Sequence, residues 1–189
     1  MGMPQMPPAW TAAQVRALPD DGRRYELVEG ELLVTPSPGP VHQRVVGALL
    51  DRLGSFLRAT GRGLVLPSPA DLSLGEDEIL QPDLFVLPPT RGPLLKWSQV
   101  RELMLAIEVL SPGTARFDRT LKRRRYQRAG VPEYWIVDPD ARVVERWRPE
   151  DERPEILSEK LEWRPEPAQE ALVIELPALF AEVWGEEES

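Results

Sequence analysis

Residues 103–111, LMLAIEVLS, alternate between two faces that are both apolar, with one interruption, Glu108. A strand apolar on both faces has to be covered on both sides, so the chain must build layers around a sheet. Two segments have the composition to supply covering helices. Residues 41–60 place Val45, Val46, Leu49, Leu50, Leu53, Phe56 and Leu57 at helical spacing, with Gly61 and Gly63 as the stop. Residues 116–129 run through LKRRRYQRA to Gly130 and form the second.

Around them the pattern predicts short elements. Thr11 caps a helix through Leu18. RRYELVEGELLVTPSP reads as a hairpin about Glu29-Gly30, and VPEYWIVD with RVVERWRP as another about Pro139-Asp140. GLVLPSPADLSL gives two short strands, EDEIL a turn, DLFVLPP a strand, and RGPLLKWSQ a loop or helical turn. Past residue 150 the sequence supports one or two edge strands and a short helix after Pro177, with MGMPQMPP and EEES as loose tails. The expectation is an α/β fold with a mixed β-sheet and one long α-helix on each side. Residues 1–22 would be a tail and short helix, 23–150 the core domain, and 151–189 edge strands and a helix of that same domain.

Composition narrows the chemistry. Cysteine is absent and His42 is the one histidine, so thiolate and multi-histidine metal sites are excluded within one chain. Any metal must be held mainly by oxygen, which favours Mg²⁺, Mn²⁺ or Ca²⁺. A net charge of −8 argues against a general nucleic-acid coat, though not against a local basic groove. No apolar run approaches the ~20 residues of a membrane span. The first residues lack the basic and apolar regions of a signal peptide, so a cytoplasmic protein is expected.

The candidate site residues are isolated charges in apolar surroundings. A buried carboxylate is costly unless paired, hydrogen-bonded or holding a metal. Glu108 lies near the end of its strand, where α/β sheets usually bind ligands; the plainer alternative is a buried salt bridge to an arginine. Asp83 follows Pro82, which holds the preceding chain extended; alone it could be a turn aspartate. Asp118, Lys122 and Tyr126 share a helix face. Lys122 could orient an attacking water or offset charge on a phosphate, or form with Asp118 a surface pair worth about 0.3–0.5 kcal/mol. His42 is an auxiliary candidate as ligand or proton carrier, or simply a polar cap. Glu26 and Glu31 flank the first hairpin turn. One of them could add an acidic ligand, exposure being the default. Arg123, Arg124, Arg125 and Arg128 could touch phosphates, or form a solvated helix face. Tyr134, Trp135, Trp147 and Trp163 read as core or interface residues.

These blocks carry a resemblance. YELVEGEL, PSPGPVHQ, QPDLFV, IEVLSPGT, the D-x-x-x-K-x-x-x-Y of DRTLKRRRY, and GVPEYWIVDP, in that order, resemble the Uma-type family of restriction endonuclease-like proteins within the PD-(D/E)XK nuclease superfamily. The resemblance spans about Arg24 to Trp147. It implies a restriction endonuclease-like fold and phosphodiester hydrolysis, with double-stranded DNA as the expected partner. Asp83 and Glu108 would bind Mg²⁺ or Mn²⁺. The superfamily lysine lies two positions beyond the acid, which is Leu110 here; Lys122 resembles the migrated lysine of some such nucleases. His42 and the YELVEGEL acids, Glu31 among them, also fall in family blocks. A homodimer is expected by analogy, since many nucleases cut two strands through two-fold symmetry. The alternative is a catalytically degenerate DNA-binding or oligomeric interaction module on the same fold.

Overall fold

The computed structural model describes residues 9–35, 37–90, 92–165 and 170–186. The opening MGMPQMPP and most of the closing EEES lie outside the described residues. A short helix, α1 (Ala12–Arg16), is closed by a capping box in which Thr11 and Gln14 satisfy each other's backbone amides. The first hairpin pairs β1 (Arg24–Val28) with β2 (Glu31–Thr35). Its two turn residues, Glu29 and Gly30, both have positive φ, which matches a tight two-residue turn to the strand twist.

Helix α2 (Pro40–Thr60) opens with proline in its first turn and stops at Gly61 in the left-handed region. Next come β3 (Leu64–Pro67), β4 (Leu84–Leu87) and, after a single helical turn at Trp97–Gln99, β5 (Leu105–Val109). A continuous helical stretch then runs through α3 (Ala115–Phe117), a wide π turn (Asp118–Lys122) and α4 (Arg123–Arg128). The chain finishes with β6 (Glu133–Asp138), β7 (Val143–Trp147), β8 (Glu155–Leu157), β9 (Lys160–Trp163), β10 (Leu172–Glu175) and α5 (Leu176–Trp184).

The main sheet has six strands in the order β3-β4-β5-β6-β7-β8. Only β5 and β6 are parallel; the other neighbours run antiparallel. β5 is thus an interior strand, buried along its whole length. Its alternation divides the core in two. Leu105, Ile107 and Val109 face Val45, Leu49, Leu53 and Leu57 of α2 together with Leu179 and Phe180 of α5. Ala106 faces the other way, in a cluster with Phe85, Tyr126, Tyr134 and Ile136. Trp135 and Tyr134 are adjacent in β6 and fill opposite faces, each fully buried, so the pair that raised the expectation of a dimer surface is consumed within one chain. Among the described residues no helix is long and apolar enough to cross a membrane.

Three local expectations differ from what is observed. EDEIL is not merely a turn: Ile79 bridges to Leu27 and Leu80 to Leu72, because both side chains need burial. These bridges tie the first hairpin to the chain just before Asp83. The second long helix contains the π turn. The C-terminal region has three strands, since Leu161, Trp163 and Ile174 alternate inward along β9 and β10.

Leu49 is completely buried between α2 and the sheet. Leu49→Ala is expected to lower unfolding free energy by about 2–5 kcal/mol, read as a shifted midpoint in urea denaturation with an unchanged slope.

Candidate active site

Strand register sets the geometry. β4 pairs antiparallel with β5 so that Leu84 faces Ile107 and Phe85 faces Ala106. Continued by one residue, this register puts Asp83 opposite Glu108, on the sheet face that α4 covers. Like charges opposed across a strand pair repel, so each acid needs its own compensation, and the two receive it differently.

Asp83 is 4 % exposed. Its Oδ1 accepts from Arg24 Nη1 at 2.7 Å; its Oδ2 accepts from the Val109 amide at 2.9 Å and meets His42 Nε2 at 3.0 Å. Burial alone would raise its pKa, but the His42 bond and charge, the Arg24 charge and the Val109 amide overcome it and hold Asp83 at about 2. An ionised carboxylate only accepts hydrogen bonds, so the His42 proton sits on Nε2. Nδ1 is buried and has no partner among the described residues.

Glu108 is 2 % exposed and bonds Lys122 Nζ through Oε1 at 3.1 Å. Its pKa is pushed well above the ordinary carboxylate range, chiefly by burial; Lys122 opposes this, while Asp118, Asp83 and Glu26 add to it. Lys122 is itself buried. Besides Glu108 it contacts Glu26 Oε2 at 2.7 Å and Asp118 Oδ1 at 3.3 Å. Burial would lower the pKa of the ammonium, yet Glu108, Glu26 and Asp118 together hold it well above the usual lysine value. Glu26 is further fixed by the Gln81 amide at 2.9 Å. The two Asp118 oxygens have no hydrogen-bond partner among the described residues, and burial raises its pKa.

The π turn belongs to this arrangement. It joins the Arg123 amide to the Asp118 carbonyl, five residues back, which also accepts from Tyr134 Oη at 3.1 Å. Wide turns of this kind recur at functional sites. The reading of Asp118 and Lys122 as a surface pair is thereby corrected: both are buried, because the helix presses this face onto Glu108 and Glu26. The alternative that Glu108 pairs with an arginine is also replaced, since its partner is Lys122.

Asp83, Glu108, Lys122, His42 and Arg24 all line one cleft of about 280 Å³, walled by Gly39 at the start of α2 and by the loop from Ser111 to Thr114. Two acids, Asp83 and Glu108, and two cations, Arg24 and Lys122, line it beside His42, while Glu26 and Asp118 reach Lys122 from outside the lining. Among the described residues no three His, Asp or Glu side chains gather closely enough to hold a metal by themselves.

Other candidates fall elsewhere. Glu31 is exposed at the turn end of the hairpin, paired in register with Val28, and does not line the cleft. The acid of that hairpin which does enter the site is Glu26. Arg24 escaped notice altogether. Both share the inward face of β1 with Val28, and that alternation was the available signal. None of the helix arginines lines the cleft. Arg123 stacks on Trp147 at 4.6 Å, Arg125 pairs with Glu78, Arg128 pairs with Glu29, and Arg124 is exposed.

A six-stranded mixed sheet between helices, with opposed acids on adjacent strands and a lysine behind them, defines a restriction endonuclease-like α/β protein. The chain belongs to the Uma2 family, described as "Putative restriction endonuclease", whose model matches residues 12–182. Its fold is shared by the crystal structure of a "putative nuclease belonging to DUF820" from Anabaena variabilis ATCC 29413. That chain is 19% identical, with a TM-score of 0.73, over 92% of this chain and 99% of the other. No curated protein matches.

Two outcomes test the electrostatics. Lys122→Met leaves three acids buried without their cation and is expected to cost about 3–5 kcal/mol near neutral pH. The deficit should shrink on acidification, because carboxyls whose folded pKa is raised destabilise the fold as pH rises toward it; urea titrations across pH read this. Glu108→Gln removes a charge that burial disfavours and is expected to unfold at higher denaturant than the parent at neutral pH. The gain should fade as pH drops below the ordinary glutamate range. Asp83 behaves oppositely: its contribution is complete above about 3.8 and is lost as pH falls toward about 2.

Proposed function

We propose that this chain is a divalent-metal-dependent nuclease that hydrolyses phosphodiester bonds in DNA. The observation that carries the reading is the pair Asp83 and Glu108, opposed across adjacent strands at one cleft, with Glu26 and Asp118 holding Lys122 from behind it. Two opposed carboxylates can seat a dication between them, and carboxylate oxygen suits Mg²⁺ or Mn²⁺. Mg²⁺ commonly takes only one or two carboxylates and keeps several waters, which fits a site lacking a third acidic or histidine ligand among the described residues. Asp83 and Glu108 would hold it. When bound, such an ion supplies an activated water and offsets charge on the phosphate.

The remaining residues prepare those two ligands. Asp83 stays ionised through its bonds to Arg24, His42 and Val109. Glu108 would protonate readily in so buried a place, and Lys122 counters that tendency while fixing one of its oxygens. Lys122 also lines the cleft, so its ammonium is a fixed positive charge behind any phosphate seated against Glu108. His42 Nδ1, buried and without a partner among the described residues, is a place for a water to bond. DNA is the polymer that the family description indicates. The net charge of −8 leaves the cleft, rather than the surface at large, to seat it.

Plasmid cleavage with Mg²⁺ or Mn²⁺ tests the reading. Asp83→Asn and Glu108→Gln are each expected to reduce cutting by more than about 100-fold, and calorimetric Mn²⁺ binding should weaken in both. Saturable DNA binding with no Mn²⁺ uptake and no cutting by the parent would instead select a non-catalytic module.

A further inference from the structure

Three cationic or potentially cationic side chains line the cleft: Arg24, His42 and Lys122. Their freedom differs. Lys122 carries three N–H bonds and faces three acids, Glu26, Glu108 and Asp118, at 2.7–3.3 Å, with 2 % of its side chain exposed. Withdrawing it would strand all three. His42 commits Nε2 to Asp83, and its Nδ1 is buried, with 11 % of the side chain exposed. Arg24 differs from both. It stands first in β1, at the rim, with 20 % of its side chain exposed. Among the described residues only its Nη1 is engaged, with Asp83 Oδ1 at 2.7 Å and the Gln81 carbonyl at 3.3 Å. The rest of the guanidinium fork has no partner there. The helix arginines do not line the cleft.

Asp83 is therefore contested. In the free protein a guanidinium neutralises it; in the proposed enzyme a dication would. Two cations on one carboxylate oxygen repel, and of the two the guanidinium can move, because it lies at the rim. We propose that Arg24 is the substrate-phosphate ligand of this cleft, its guanidinium passing from Asp83 to a non-bridging oxygen of the DNA phosphodiester when a divalent cation occupies Asp83. Arginine suits this exchange: its planar fork matches phosphate as well as carboxylate, and it never loses its charge. The pairing seen here is then a placeholder that keeps Asp83 ionised and the cleft closed to stray cations until substrate and metal arrive together. This rests on the nuclease reading above.

The test compares the full chain with Arg24→Gln. Anisotropy of fluorescein-labelled DNA is measured with Ca²⁺ in place of Mg²⁺, so that binding is read without cleavage, over a range of salt. Mn²⁺ affinity is measured separately by calorimetry without DNA. Arg24→Gln is expected to weaken DNA binding about tenfold, the loss of one charge-assisted bond. It should also flatten the dependence of log K on log salt by about 1. Mn²⁺ should bind at least as tightly as in the parent, since its competitor for Asp83 is gone. Equal DNA affinity and equal salt dependence in the two proteins would overturn the assignment and leave the nuclease reading intact. A parallel loss of Mn²⁺ affinity would also overturn it, by showing that Arg24 only shapes Asp83. A parent that binds neither DNA nor Mn²⁺ removes both readings together. Where glutamine leaves the chain unfolded, Arg24→Lys keeps the charge and loses the fork. It is expected to bind DNA more weakly with Mn²⁺ affinity held; parental DNA affinity in that variant counts against the proposal.

Discussion

One buried ammonium holds this structure's chemistry and its architecture together. Lys122 comes from the π turn, Glu26 from the first hairpin and Glu108 from the central strand, and Nζ meets both acids along with Asp118 of its own turn. Three carboxylates within 3.3 Å surround the ammonium, which is what makes its burial tolerable. The same contacts fasten the hairpin and the helix to the sheet at one point. Loss of that point would affect the fold and the site together.

The two acids that face each other show how environment overrides residue type. Asp83 is held at about 2 by donors on both oxygens, while Glu108, opposite it, is driven up by burial and by the acids around it. The strand pairing brings both to the same cleft, but their partners come from different places: a rim arginine, a helix-opening histidine and a backbone amide for one, a single buried lysine for the other. Glu108 and Asp118 disfavour folding as pH rises, while Asp83 favours it. The two apolar layers on either side of β5 supply the compensating stability.

Much of the framework could be read from the chain because it depends on short-range pattern. The double-sided apolar strand, the helix at 41–60, the Glu29-Gly30 turn and the pairing of residues 133–138 with 143–147 all follow from alternation, helical spacing and turn chemistry. Asp83, Glu108 and Lys122 stood out as lone charges in apolar or arginine-rich surroundings. Glu26 and Arg24 did not. They sit in a strand whose polar-looking composition suggests exposure, and it is the folded contacts with Asp83 and Lys122 that show their face meets the site. The arginines of the second helix left two readings open, phosphate contact or a solvated face, because sequence alone does not show their partners; helical geometry distributes them among Trp147, Glu78, Glu29 and solvent.

The position of the lysine explains why the wide turn is present. Residues 108 and 110 alternate onto the same face of β5 and its continuation, so a lysine at 110 could have approached Glu108 from within the strand. Leu110 instead packs into the apolar layer beside Tyr126 and Ile136. The cation must then descend from the covering helix. The π turn over Asp118–Lys122 departs from the α-helical repeat just where Lys122 meets Glu108 and Glu26. Giving the strand position to leucine strengthens the core at the place where the site weakens it, and moves the ammonium onto an element that can reach Glu26 as well.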